Sequence, residues 1–137
     1  MDFIEDRRNI FYVDSSYFLV HCIAEDARMG AGIAVDFTNH FPEIKKLRKM
    51  DLKVGSCVKI DRVFNLITKK RSSGKPIYQT LTSSLIQCKD ICLKEDIKKL
   101  AMPKIGCGLD RLQWPKVREI IQDVFKDTSI EILICII

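Results

Sequence analysis

Apolar residues in this chain alternate between short continuous runs and longer stretches where they recur every three or four positions. Residues 17–24 (YFLVHCIA) are nearly unbroken in β-forming residues, as a strand covered on both faces would be. EDARMGAGIAVDF follows, with Gly30 and Gly32 opening a predicted helix. Pro42 cannot sit inside a helix, so this one is expected to stop near Asn39 and a second to begin with Pro42 in its first turn. SCVKI and RVFNLIT read as two strands joined around Asp61, a hairpin. RSSGKP is a loop; residues 77–95 then place Ile77, Leu81, Leu85, Cys88 and Cys92 on one helical stripe. KKLAMPKI is the next strand, GCGLD the next loop, and residues 113–127 the last helix, with Trp114, Val117, Ile120, Ile121, Val124 and Phe125 on one face. IEILICII closes the chain as a buried strand.

Strands alternating with helices predict a layered α/β domain with a mostly parallel central sheet and helices on both faces. FIEDRRNIF, poorly patterned, supplies a further strand or edge. No linker, repeat or low-complexity tract divides the 137 residues, so residues 1–137 read as one domain. No apolar run approaches the roughly 18 residues of a membrane span. The charged N-terminal segment lacks the apolar centre of a signal peptide, and a soluble intracellular protein is expected, in the nucleus, the cytoplasm or both. The six cysteines include no CxxC pair, and the i, i+4 pair Cys88 and Cys92 has no histidine nearby; the cysteines fit free thiols in a reducing compartment, with no metal site. The net charge of +5 is compatible with an anionic ligand but spread over short clusters such as KKLRK and TKKR, most of them read as solvated surface.

Composition therefore leaves the chemistry to the loops. Gly30 and Gly32 follow one buried strand, and Gly106 and Gly108 another. In open α/β sheets that end of the sheet is where ligands bind. Glycine lets backbone approach a ligand closely, and a helix start behind it offers unpaired N–H groups to a phosphate. One such pair is equally an ordinary tight turn; two at equivalent strand ends suit the two sides of a diphosphate. Neither is a Walker A or full GxGxxG sequence, which disfavours an NTPase or a nicotinamide dehydrogenase. Asp110 reads as a helix cap or a partner of Arg111, or else as a carboxylate beside a bound sugar. Of Lys69 and Lys70, at most one can face a site at the strand end, because successive residues of a strand point to opposite faces.

HCIAEDARMGAGIAVDF, LITKKRSSGKPIY and MPKIGCGLDRLQW, in that order, resemble the macrodomains of the terminal ADP-ribose protein glycohydrolase family from His21 to the C-terminus. The resemblance implies a three-layer α/β/α macrodomain with a mixed, mostly parallel sheet, and it assigns the glycine loops to the diphosphate and distal ribose of ADP-ribose. It implies Lys69 and Asp110 as the catalytic pair. ADP-ribose contacts would come from Lys104, Ile105, Gly106, Cys107, Gly108, Leu109 and Asp110, with Ile10, His21, Gly32, Ile33 and Ile137. The implied activity is removal of ADP-ribose from glutamate or aspartate side chains of modified proteins, and also deacetylation of O-acetyl-ADP-ribose. It needs no cofactor and no metal; ADP-ribose is its product.

Where macrodomains place an aspartate for adenine, this chain aligns Asn9, or Asp6 in another register. From local sequence alone His21, single on a buried strand, reads as a core residue. The alternative is a reader module that binds ADP-ribose without cleaving it; a reader has no need of the Lys69–Asp110 pair. The expected partners are ADP-ribosylated proteins, with poly-ADP-ribose as a further one through the basic clusters. The expected state is a monomer.

Overall fold

The computed structural model describes residues 1–137. In chain order the strands are β1 (Asp2–Arg7), β2 (Phe18–Ala24), β3 (Cys57–Ile60), β4 (Val63–Lys69), β5 (Lys99–Met102) and β6 (Glu131–Ile136). The α-helices are α1 (Ile33–His40), α2 (Tyr78–Glu95) and α3 (Trp114–Phe125), with a 3-10 helix at Pro42–Lys49. The strands form one sheet in the order β1-β6-β5-β2-β4-β3, parallel throughout except for the antiparallel β3–β4 hairpin. In that hairpin Ile60 pairs Val63 across a two-residue turn, and Asp61 takes the left-handed conformation such turns require.

Alternation along each strand divides the core in two. Val20, Phe64, Leu66, Leu100, Met102, Ile132 and Ile134 face α2 and α3. Their neighbours Leu19, Ile23, Val63, Ile67, Ala101, Leu133 and Cys135 face α1 and the 3-10 helix. Both faces are apolar, which is why the central strands read as continuous runs. The layers are thus helix, sheet, helix, the macrodomain architecture expected above.

Two local features have physical causes. Residues from Pro42 form a 3-10 helix, in which Ile44 and Leu47, both fully buried and three apart, fall on one side of the three-residue turn. β1 is the sheet edge, exposed along most of its length; it is held by pairing to β6, by Trp114 Nε1 donating to Glu5 at 2.9 Å, and by the Arg118–Glu5 ion pair. An edge strand needs backbone pairing more than an apolar face, so its side chains carry little signal. No helix is long and apolar enough to cross a membrane.

Connections leaving β2 run through α1 toward β3 and β4. Those leaving β5 run through α3 the other way, to β6. β2 and β5 are neighbours, so the loops behind them diverge and leave a crevice at the carboxyl end of the sheet.

Candidate functional site

That crevice is a cavity of about 720 Å³, within the range of small-molecule sites. The loop after β2 forms one wall with Met29 to Ala34, and the loop after β5 the other with Pro103 to Gly106 and Gly108 to Arg111. Lys69, Ser72, Ser73 and Lys75, from the segment after β4, complete the rim.

The glycines set the shape. Gly32 has φ 62° and ψ −152°, a conformation open essentially to glycine alone, and α1 starts immediately behind it. A Cβ there would lie 3.2 Å from Leu109 Cδ1, so the two loops meet at this point. Gly106 has φ 72°, and a Cβ would approach Leu112 Cδ1 to 2.9 Å. The turn it makes is closed by Leu112 N–H donating to the Gly106 carbonyl at 2.7 Å.

Lys69 ends β4 and continues the row of Val63, Asn65 and Ile67, whose side chains face α1; Lys70 lies beyond the strand end and is exposed. Lys69 Nζ is 2.6 Å from Asp110 Oδ1 and also donates to the Ser72 carbonyl at 3.1 Å. The two side chains are only 14% and 16% exposed. Asp110 is neither a helix cap, since Gln113 occupies that position before α3, nor paired with Arg111. Arg111 instead takes φ 64°, turning the chain after Asp110.

Two thiols are nearby. Burial, reinforced by the negative charge of Asp110, holds the Cys22 thiol above the usual thiol range. Burial pushes Cys107 up to about 11. Both are therefore neutral at pH 7 and poor nucleophiles. Of the three lysines lining the cavity, Lys75 and Lys104 are exposed, whereas the Lys69 amine is largely buried beside a carboxylate.

Of the other residues expected at the site, His21, Gly32, Ile33, Lys104, Ile105, Gly106, Gly108 and Leu109 line the cavity, and Ile10, Cys107 and Ile137 do not. Ile10 is packed in the core beside α1, and Cys107 turns its Sγ toward the Ile105 carbonyl at 3.4 Å. Ile137 projects from the end of β6, 95% exposed. Asn9 spends its side-chain carbonyl on the Phe11 N–H at 2.9 Å, capping a short turn. His21 is fully buried, stacked on Phe37 and 2.6 Å from Asn65 through Nε2. Asn65 donates its amide nitrogen to the Val58 and Val63 carbonyls, so its oxygen accepts and His21 carries its proton on Nε2. Nδ1 is buried without a partner, and burial lowers the His21 pKa to about 4.

Four residues of the site escaped the sequence. Lys75 donates to the Leu109 carbonyl at 2.7 Å, pinning the residue before Asp110. Arg48, from the 3-10 helix, donates to the carbonyls of Ala27 and Arg28 at 3.0 and 2.8 Å. Ala27 and Met29 both have positive φ there, so the loop after β2 is strained and held from outside. Asp26 binds Ser72 through its N–H at 2.8 Å and its hydroxyl at 2.5 Å.

A model of the Macro domain family matches residues 20–121, and the chain belongs to that family. It is 46% identical over 132 residues to the bovine (Bos taurus) ADP-ribose glycohydrolase OARD1, covering 93% of this chain and 87% of that protein. Its fold resembles the macrodomain of Thermus aquaticus DarG (TM-score 0.88, 22% identity, 97% of each chain). It also resembles Thermosipho africanus DarTG in complex with ADP-ribose (TM-score 0.85, 21% identity, 99% of this chain and 42% of that one).

Proposed function

We propose that this chain is an ADP-ribose glycohydrolase that cleaves the ester joining ADP-ribose to glutamate or aspartate side chains of proteins. The observation that carries the reading is the Lys69–Asp110 contact of 2.6 Å in the wall of the cavity. The glycohydrolase relative and the ADP-ribose complex of a similar fold supply the substrate class.

In this reading the loop after β2 and the loop after β5 grip the diphosphate and distal ribose. Lys69 Nζ, after giving one proton to Asp110, attacks the anomeric carbon; the C–N bond forms as the C–O bond to the side-chain carboxylate breaks, and the carboxylate leaves with the bonding pair and takes up that proton, freeing Asp110 as a base. The adduct opens to a Schiff base, which water hydrolyses to free ADP-ribose and lysine. Asp110 accepts the proton from a ribose hydroxyl or the attacking water. The same pair would act on O-acetyl-ADP-ribose, where the leaving carboxylate is acetate.

The test is release of ADP-ribose from a glutamate-modified protein by the native chain, Lys69→Ala and Asp110→Ala. Native activity lost in both variants, with ADP-ribose still bound by Lys69→Ala, supports the reading. Tight ADP-ribose binding without release by the native chain would sink it and leave a reader module. Loss in neither variant would rule out this pair.

A further inference from the structure

β2 and β4 run parallel and adjacent, so the segments leaving them emerge side by side, joined by Glu25 N–H donating to the Lys69 carbonyl at 2.9 Å. Asp26 follows on one segment and Ser72 on the other. Asp26 Oδ2 accepts the Ser72 N–H at 2.8 Å; Oδ1 accepts the Ser72 hydroxyl at 2.5 Å and the Arg28 N–H at 3.1 Å. Ser72 is left with one polar group, its carbonyl, and that carbonyl accepts from Lys69 Nζ at 3.1 Å. Asp26 itself is exposed and does not line the cavity.

We propose that Asp26 is a positioning residue for Lys69, clamping Ser72 so that its carbonyl aims the amine into the cavity. This rests on Lys69 being the nucleophile. An ammonium group has three N–H bonds, and Asp110 and the Ser72 carbonyl take two of them. Asp110 must turn to the substrate when it accepts a proton, and from then on the Ser72 carbonyl is the fixed protein group on the amine. It keeps one N–H donated while the lone pair points at the anomeric carbon. A lysine side chain without that anchor has several rotamers, and a displacement of about 1 Å costs on the order of 100-fold in rate.

The segment that carries Ser72 has no helix or strand to fix it. It reads RSSGKP, closed by one turn in which Gly74 N–H donates to the Arg71 carbonyl at 2.9 Å. The two bonds to Asp26 are what orient its Ser72 peptide. The carboxyl is desolvated by its partial burial, but the hydroxyl and N–H of Ser72 outweigh this and hold it below the usual carboxylate range, so the clamp is charged at neutral pH.

The test measures kcat and KM on a glutamate-ADP-ribosylated peptide, ADP-ribose affinity and thermal midpoint. The variants are Asp26→Ala, Asp26→Asn, Ser72→Ala and Ser72→Thr, with Lys69→Ala as control. A displaced nucleophile predicts that Asp26→Ala lowers kcat roughly 10- to 100-fold, with KM and ADP-ribose Kd within about 3-fold of native. Asp26→Asn, which keeps one accepting oxygen, should lose less than Asp26→Ala, and Ser72→Thr should retain more than Ser72→Ala because it keeps both donors. Native kcat in Asp26→Ala, or a loss that lies wholly in KM or tracks a fall in thermal midpoint, overturns the positioning role while leaving Lys69 as it was. Native turnover in Lys69→Ala would overturn it differently, by removing the premise.

Discussion

The two loops that wall the cavity share one construction, and one of them ends on a largely buried acid. Each places a glycine pair after a buried parallel strand. In each pair one glycine sits at positive φ, Gly32 or Gly106, and the other, Gly30 or Gly108, has open space where a Cβ would be. Between Met29 and Ile33 the first loop carries no ionisable residue, whereas the second leads to Asp110 and so to Lys69. The glycines give a shape that suits an extended anion; in the function proposed above, the carboxylate is what turns holding into cleavage. The loops even touch, through Leu109 over Gly32, so one can be altered and the other watched.

The largest effect should come from splitting shape from chemistry. Asp110→Ala is expected to lower kcat for ADP-ribose release by about 100- to 10,000-fold, the range for loss of a general base, with ADP-ribose Kd changed far less. Gly32→Ala should do the reverse, raising KM and Kd more than it lowers kcat, because it strains the wall and pushes on Leu109. Steady-state kinetics alongside calorimetric binding separates the two. A Gly32→Ala enzyme that loses kcat at native KM would end the division of labour.

Acid should distinguish the strands beneath the loops. β2 carries the buried His21, whereas β5 carries no buried titratable side chain. His21 titrates at about 4 in the folded protein against an ordinary value of 6.5, so between those values the unfolded chain binds the extra proton. Stability is unaffected above the window and falls as pH drops through it, by about 3 kcal/mol over its full width. Urea unfolding of the native chain at pH 7.5 and pH 4.5 should show this loss, and His21→Gln should show a shallower one. Equal slopes in the two proteins would mean that His21 is not the group responsible.

Backbone strain comes next in size. Gly106→Ala must hold φ near 72° and move Leu112, whose Cδ1 is 2.9 Å from the new methyl. A destabilisation of about 1–3 kcal/mol is expected, read as a lower urea midpoint at unchanged slope. A neutral result would show that the turn relaxes to another conformation.

Much of this arrangement could be read before any coordinates. The order of strands and helices follows from runs and stripes, because both faces of the sheet are covered. β1 is weakly marked because an edge strand is held by its backbone and by Glu5, and Ile44 and Leu47 suit either helical period, which leaves the type of the helix at Pro42 open in the sequence. At the cavity, strand alternation limits Lys69 and Lys70 to one candidate, and only the family resemblance pointed to Lys69. Asp26, Ser72, Lys75 and Arg48 were illegible for a common reason. They act through main-chain N–H and carbonyl groups across 20 to 46 positions of sequence, and a basic run such as KKLRK looks the same whether or not one of its arginines is spoken for.

The smallest effect on stability is the most discriminating one for the glycine pairs. Nothing lies within 4 Å of a Cβ at Gly30 or Gly108, and neither has positive φ. Replacing either by alanine removes freedom from the unfolded chain and should leave stability unchanged or raise it by about 0.4–1 kcal/mol. Folding alone therefore gives no reason for glycine at either position. Both residues line the cavity, however, and a methyl there would occupy the space through which a diphosphate reaches backbone N–H groups. Gly30→Ala and Gly108→Ala should thus be fully folded proteins with weakened ADP-ribose binding, seen as a raised Kd at a native urea midpoint. Native affinity in both would mean that the diphosphate approaches elsewhere, and that only Gly32 and Gly106 shape the walls.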